Sequence, residues 1–135
     1  MGLTIRINGQ GQALLVISFH PQNMTRLQVK GVKEKLAGFF AEGPGVNCHI
    51  GSLYFNERQQ WESGEFEHLF GELCITETML GKQFRISPKC FFAVNTPAAE
   101  KMCETIADMV HLNRSSTLVI FSFENLYTLI IQLPD

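Results

Sequence analysis

The chain has 135 residues, a formal net charge of -2 and a pI of about 6.1. That length suits one compact domain or a piece of a larger protein, and it is well short of a typical two-domain enzyme. The charge excludes a global basic field that would draw the chain onto nucleic acid or anionic lipid, so any contact with RNA has to be local.

The cysteines show neither a CxxC pair nor a His in ligand spacing; they are Cys48, Cys74, Cys90 and Cys103. This scatter predicts reduced thiols in an intracellular protein, without a metal site or a disulfide scaffold. The start, MGLTIRING, has neither a secretory nor a transit signal. We assign no catalytic role to the histidines, which are His20, His49, His68 and His111.

Two strands are predicted at the start of the chain. Residues 3–8 alternate apolar and polar, with Leu3, Ile5 and Ile7 on one face and a solvated polar face opposite. A Gly-bounded turn then leads into a second apolar run at residues 13–19. The pattern predicts an antiparallel β-hairpin.

A helix is predicted from about residue 25 to residue 42, where residues 43–45, Gly-Pro-Gly, end it. Its apolar residues recur at spacings of three and four and are Val29, Val32, Leu36, Phe39 and Phe40.

Three cationic residues share a side of this helix away from the apolar stripe: Arg26, Lys30 and Lys33. One interpretation makes them an RNA-binding patch that contacts phosphates. The alternative is an ordinary solvated helix face.

A strand is expected at residues 46–56, with Cys48 among the mostly inward residues and a break in register near Gly51. The polar stretch that follows, residues 57–67, is expected to be a surface loop. Trp61 within it could anchor the loop on the core or stack on a base.

A second hairpin is predicted from residues 72–79 and 82–87, turning at Leu80 and Gly81. Next comes a short aromatic segment, in which Phe91 and Phe92 are interpreted as a buried crossing between subdomains.

A second helix is predicted from Pro97 to about residue 111, with Thr96 as its cap. Its inward face is expected to include Met102 and Met109, among others, as core packing. The apolar runs TLVIFSF and LYTLIIQL after it predict a terminal strand pair, or an exposed aggregation-prone tail, and are too short for a membrane span.

The run FRISPKCFFAVNTPAAEKM, followed by LNRSSTLV, resembles the segment that links the central and methyltransferase domains of the RNA uracil-5-methyltransferases. It is most similar to the animal tRNA (uracil-5-)-methyltransferase homologues, whose motif reads FRISP, two residues, FFQVNT. The upstream stretches GSLYFNERQQ and LFGELCITETMLG are similar to the same family.

The resemblance implies an α+β fold in three parts. Residues 1–88 would be the central domain, with an antiparallel or mixed sheet and a packed helix. Residues 89–119 would be the linking helix and the first strand of a truncated Rossmann-like methyltransferase domain, and residues 120–135 a divergent apolar tail.

The family's activity is transfer of a methyl group from S-adenosylmethionine to uracil C5 in tRNA, by a nucleophilic Cys and a basic Glu that both lie beyond the point where this sequence departs. Of the motif's cofactor-binding positions, Asn95 matches and Ala93 replaces the usual Gln. The family also has a Gly-rich cofactor loop, whereas no Gly occurs here after Gly81.

We therefore expect an intracellular fragment or isoform of a tRNA uracil-5-methyltransferase that is inactive alone and binds no S-adenosylmethionine. The alternative is a non-catalytic module that binds RNA or protein. The sequence leaves open whether the chain arises by splicing, read-through or a gene-model error, and whether its compartment is nuclear, cytosolic or mitochondrial. It does not indicate an oligomeric state.

Overall fold

The structure, a computed structural model, describes residues 1–57, 65–110, 117–122 and 127–132. Its strands are β1 (Gly2–Ile7), β2 (Ala13–Phe19), β3 (Ile50–Glu57), β4 (Phe66–Gly71), β5 (Ile75–Met79), β6 (Lys82–Ile86), β7 (Thr117–Ser122) and β8 (Tyr127–Gln132). Its α-helices are α1 (Arg26–Ala41) and α2 (Thr96–Met109). The chain divides into two compact units, Met1–Thr78 with Gln83–Lys89, and Met79–Lys82 with Cys90–Asp135.

The first unit is built on a mixed sheet in the order β1-β2-β3-β4. β1 and β4 pair antiparallel with their neighbours, whereas β2 and β3 are parallel and are connected through α1. A parallel pair needs such a crossover, because a tight turn cannot bring the chain back to the same end of the sheet. The expected α+β fold, with a mixed sheet and a packed helix, is confirmed.

The core lies between α1 and the central strands. Its fully buried members are Leu15, Ile17, Val29, Leu53 and Phe55. Half-buried aliphatic and aromatic side chains from α1 and the sheet pack around them. The helical period of the α1 sequence thus supplies one wall of the core, and the strands supply the other.

The first hairpin is confirmed, and Asn8 organises its turn. Asn8 is 5% exposed, and its Oδ1 accepts hydrogen bonds from the Gln10 and Gln12 backbone N–H groups at 3.1 and 2.8 Å. Its Nδ2 donates to the Thr76 carbonyl at 2.8 Å. Beside it, the Gly9 N–H donates to Glu77 Oε2 at 3.0 Å. The turn is therefore held onto β5 by two hydrogen bonds.

The apolar face of β1 is exposed, although the alternation of apolar and polar residues suggested that this face is buried. Leu3, Ile5 and Ile7 are 60%, 53% and 67% exposed. They lie on the same face of the sheet as Ile17, Leu15 and Ala13, the residues directly opposite them on β2. The core under α1 therefore stops at β2, because α1 makes its main sheet contacts with β3 and β4.

Helix α1 matches its predicted limits closely. Thr25 is the N-cap, and it forms a capping box with Gln28: the Thr25 hydroxyl accepts from the Gln28 N–H, and the Gln28 side chain accepts from the Thr25 N–H at 2.8 Å. One residue of the predicted stripe departs, since Phe39 is 45% exposed.

The strand expected from residue 46 begins four residues later. A short 3-10 helix, Pro44–Cys48, occupies its predicted start, and Cys48 is exposed rather than inward. Because Pro44 lacks an N–H, it suits the first turn of a helix. The Gly-Pro-Gly segment therefore both ends α1 and begins the 3-10 helix, which the sequence did not predict. The break near Gly51 is confirmed as a register shift between β2 and β3.

Strand β4 was not predicted, because it falls where a loop was expected through residue 67. Its sequence, FEHLFG, places Glu and His among the apolar residues and weakens the alternation. The prediction for Trp61 lies outside the described residues.

The second hairpin is confirmed, with β5 and β6 paired around Leu80 and Gly81. Both turn residues have positive φ, 49° and 69°. The Leu80 N–H donates to Glu100 Oε1 on α2 at 2.7 Å, so a carboxylate holds the turn.

Helix α2 begins one residue earlier than predicted, and its cap is Asn95, not Thr96. Its buried side chains are Cys103 and Ala107. Met102 and Met109, predicted to be core residues, are 57% and 74% exposed. The buried face of α2 is therefore narrower than the apolar pattern predicted, and it contains Cys103 and Ala107 rather than the two methionines.

The interpretation of both Phe91 and Phe92 as buried is also wrong, since Phe91 is 64% exposed and only Phe92 is half-buried.

The predicted terminal strand pair is confirmed. β7 and β8 pair antiparallel in a separate two-stranded sheet, from Thr117 opposite Gln132 to Ser122 opposite Tyr127.

Candidate functional site

The predicted cofactor-binding positions lie at the N-terminus of α2. The Asn95 Oδ1 accepts a hydrogen bond from the Ala98 N–H at 3.0 Å, and its carbonyl accepts from the Ala99 N–H at 3.0 Å. Asn95 thereby satisfies backbone donors that the helix itself leaves unpaired. Asn95, which matches the motif, therefore has a structural role that is independent of any ligand.

Ala93 is half-buried and carries only a methyl group. It can pack against a ligand but cannot hydrogen-bond to one through its side chain. The capping bond uses one lone pair of the Asn95 amide oxygen, and the Nδ2 group of the same amide is a donor that a cofactor can also use. Their assignment as cofactor-binding residues stays a prediction.

The three predicted RNA-binding cations do not share one environment. Lys33 is 17% exposed at its side chain, and its Nζ lies 2.6 Å from Glu67 Oε2 and 3.6 Å from Glu57 Oε2. The same ammonium lies 5.0 Å from the centre of the Phe55 ring. These contacts connect α1 to β3 and β4, so the charge of Lys33 has a structural role.

Arg26 and Lys30 are exposed and four residues apart, so they are neighbours on the α1 surface. Lys30 forms a solvent-exposed pair with Glu34 at 3.8 Å, which costs little to break. Arg26 is the first residue of α1 and therefore lies in its first turn. Of the predicted patch, these two are the residues that the fold leaves accessible to a phosphate.

The four cysteines form no disulfide with one another. Burial raises the pKa of the Cys103 thiol above its usual range, and the Glu100 carboxylate raises it further. Cys103 is therefore a weak nucleophile at neutral pH. Cys74 Sγ accepts a hydrogen bond from Arg85 Nε at 3.1 Å, a contact that raises the pKa of Arg85.

The sequence did not point to a group of polar side chains on the sheet face opposite α1. Ser52, Tyr54 and Asn56 alternate along β3 on that face and are 0%, 6% and 3% exposed. The Tyr54 hydroxyl donates to the Leu73 carbonyl at 2.8 Å, and its ring centre lies 5.0 Å from that of His68. The signal that could have revealed them is the polar alternation within an otherwise buried strand.

Some atoms of this group lack a hydrogen-bond partner within the described part of the chain: Ser52 Oγ, Asn56 Oδ1 and His68 Nε2. Buried polar atoms of this kind are where ordered water is usually found. Within residues 1–57 and 65–110, no group of His, Cys, Asp or Glu side chains could hold a metal ion. None of the described helices is long and apolar enough to span a membrane.

A comparison with protein-family models gives no match. Individual proteins do match. The chain is 43% identical over 122 residues to "tRNA (uracil-5-)-methyltransferase homolog A" of Mus musculus, covering 87% of this chain and 20% of that protein. It is 37% identical over 121 residues to "tRNA (uracil-5-)-methyltransferase homolog B" of Homo sapiens, covering 87% of this chain and 24% of that protein.

A bacterial protein is also similar, the "Uncharacterized RNA methyltransferase" of Streptococcus mutans, at 30% identity over 109 residues, which is 81% of this chain and 23% of that protein. The chain thus spans about a fifth to a quarter of the length of these relatives. Over that segment, the chain belongs to the family of the tRNA (uracil-5-)-methyltransferase homologues.

Proposed function

We propose that this chain is the central α+β portion of a tRNA uracil-5-methyltransferase, that it contributes RNA contacts, and that it does not transfer a methyl group on its own. The full activity would use S-adenosylmethionine as methyl donor and uracil C5 of tRNA as acceptor. The support for the substrate class is the similarity to relatives whose names specify this reaction.

The pairing of β7 with β8 supports inactivity of the isolated chain. The family resemblance leads us to expect that a strand at this position runs into a Gly-rich loop and then a helix, which lets the backbone approach a nucleotide-like cofactor. Here, β7 instead pairs antiparallel with β8, and no Gly occurs beyond Gly81. The sequence between the two strands, residues 123–126, is FENL and is not Gly-rich.

The cofactor positions are consistent with this proposal. Asn95 uses its side-chain oxygen to cap α2, and Ala93 lacks a polar side chain. We therefore derive no step through S-adenosylmethionine in this chain. The finer assignment of the segment around β7 to a Rossmann-like domain is part of the same proposal.

The proposed RNA contact uses Arg26 and Lys30 on α1. Both are exposed, whereas Lys33 is held by two carboxylates. Two cations one helical turn apart can contact adjacent phosphates, and binding of this kind weakens as salt competes for the phosphates.

Titration calorimetry with S-adenosylmethionine and a methylation assay on unmodified tRNA test the inactivity. We expect neither cofactor binding nor incorporation of a methyl group into tRNA by the folded chain. Methylation of the tRNA by the purified chain would refute the proposal. Stoichiometric cofactor binding would show that the chain contains a cofactor site and would contradict the expected absence of binding.

A gel shift with tRNA at low and high salt tests the RNA contact. Replacing both cations, as Arg26→Glu with Lys30→Glu, should weaken binding at least about tenfold, because two attractive contacts become repulsive. Lys35→Glu with Lys89→Glu is the matched control, since it makes the same change of net charge at two exposed lysines outside the pair. Equal losses in both variants would indicate a general charge effect and would contradict a local contact.

A further inference from the structure

Strand β1 is an edge of the four-stranded sheet. Among the described residues it pairs only with β2, and its ladder runs without a register shift from Gly2 to Ile7. The strand contains no Pro, and its one charged residue, Arg6, donates a hydrogen bond to the Ser87 carbonyl at 3.2 Å. Its apolar residues Leu3, Ile5 and Ile7 are each more than half exposed. An edge strand without a bulge or Pro is a template for pairing with another strand.

The opposite edge, β4, is protected by charge and irregularity. Glu67 on that strand forms an ion pair with Lys33 on α1, and the ladder to β3 has a register shift between Leu53 and Tyr54. A bulge and a charged side chain both discourage edge-to-edge association; β1 has a charged residue, Arg6, but no bulge. The two edges of the same sheet therefore differ in how open they are to pairing.

The sequence of β1 is complementary to itself when read antiparallel about Ile5. In that register Ile5 lies opposite Ile5 of a second copy, and Leu3 lies opposite Ile7. On the other face, Thr4 lies opposite Arg6, so the two arginines are not placed directly against each other. Directly opposed side chains of an antiparallel pair share a face, so the aliphatic residues of both copies would form one continuous strip.

We propose that this protein self-associates through β1, joining the sheets of two copies into one by antiparallel pairing centred on Ile5. The two α1 helices then lie on the same face of the joined sheet, with the aliphatic strip between them. This inference concerns the first unit of the chain alone and does not depend on the proposed methyltransferase function.

The contact is small, and this determines how the dimer behaves. A pair of six-residue strands buries less than the roughly 1,200 Å² of a standard stable interface. The dimer is therefore weak and reversible, with the monomer dominant in dilute solution.

Sedimentation velocity across a concentration series, from about 5 to about 500 μM, tests the proposal, because a small interface dissociates within that range. We expect the average mass to rise from monomer towards dimer. Ile5→Lys should raise the dimer dissociation constant at least about tenfold, since it places two ammonium groups opposite each other.

Leu27→Lys is the matched control, because Leu27 is an exposed aliphatic residue, 79% exposed, on α1 rather than β1. It should leave the dissociation constant unchanged. A chain that stays monomeric throughout the series would overturn the proposal and leave the strip to a different partner. Equal weakening by the two variants would also overturn it, because association would then be non-specific.

A cross-linking experiment tests the register independently of stability. Opposed residues of an antiparallel pair have Cα atoms about 4.5–5.5 Å apart, within the range that a disulfide bridges. Ile5→Cys should therefore form a disulfide with itself across the dimer under mild oxidation, identified by mass spectrometry of the N-terminal peptide. Thr4→Cys should not, since Thr4 opposes Arg6. Efficient cross-linking of both would overturn the proposed register.

Discussion

Lys33 shows how one residue can be read as a binding group in sequence and as a structural group in the fold. Its ammonium is within 4 Å of two carboxylates and is largely covered by the protein. Replacing it, as Lys33→Met, keeps the aliphatic volume but leaves Glu57 and Glu67 without their common cation. We expect a loss of about 1 kcal/mol in the free energy of unfolding, because both carboxylates are partly hydrated.

Urea denaturation measures this loss, and Lys30→Met is the control. The Lys30 pair with Glu34 is longer and fully on the surface, so its removal should change stability by less than about 0.5 kcal/mol. High salt should reduce the cost of the Lys33 substitution, because it screens the two carboxylates. If the two variants are equally stable, the Lys33 contacts contribute nothing measurable.

At the scale of an element, α2 depends on its cap. Asn95→Ala removes the acceptor for the Ala98 N–H and should lower the free energy of unfolding by about 1 kcal/mol, whereas Asn95→Asp keeps an acceptor and should be nearly neutral. Thermal unfolding followed by circular dichroism compares the two. Thr96→Ala serves as the control, because Thr96 is inside the helix and is not its cap. A larger effect of Thr96→Ala would support the capping residue predicted from sequence instead.

For the whole molecule, two buried acids predict sensitivity to alkali. Burial and the nearby Cys74 raise the pKa of Tyr54, and burial and Glu100 raise that of Cys103. The ordinary pKa is 10.0 for Tyr54 and 9.0 for Cys103. As the pH rises past these values, the unfolded chain loses the two protons before the folded chain does. Stability should therefore be fully present below about pH 9 and fall above it.

Urea unfolding at a series of pH values tests this. Tyr54→Phe should make the alkaline decline shallower and cost about 1 kcal/mol near neutral pH, because the Leu73 carbonyl loses its donor. A pH profile that is unchanged in Tyr54→Phe would exclude Tyr54 as a source of the decline.

The sequence predicts the helices and strands well where their limits depend on interactions between residues close together in the chain. The cap at Thr25 and the Gly-Pro-Gly stop define α1, and the Gly-bounded turn defines the first hairpin. Burial is less predictable, because alternation shows which residues share a face but not whether another element covers it. Leu3 on β1 and Met102 on α2 are apolar and exposed for this reason.

The candidate site was predictable in part. The motif around Ala93 and Asn95 identified the family, but the capping role of Asn95 depends on where α2 begins. The charges of Arg26, Lys30 and Lys33 were visible in sequence, while the partners of Lys33 come from strands far along the chain. Long-range ion pairs of this kind have no local sequence signature.

The parallel pairing of β2 with β3 has a consequence for the order of folding. β1 and β2 are joined by a short turn and can pair early, whereas β3 must wait until residues 20–49, which include α1, close a long loop. Closing a long loop costs entropy before any contact compensates it, so the β2–β3 contacts should form late and limit the folding rate. Until then, β2 has an open edge of its own, and the newly made chain passes through a state with strong potential for intermolecular pairing.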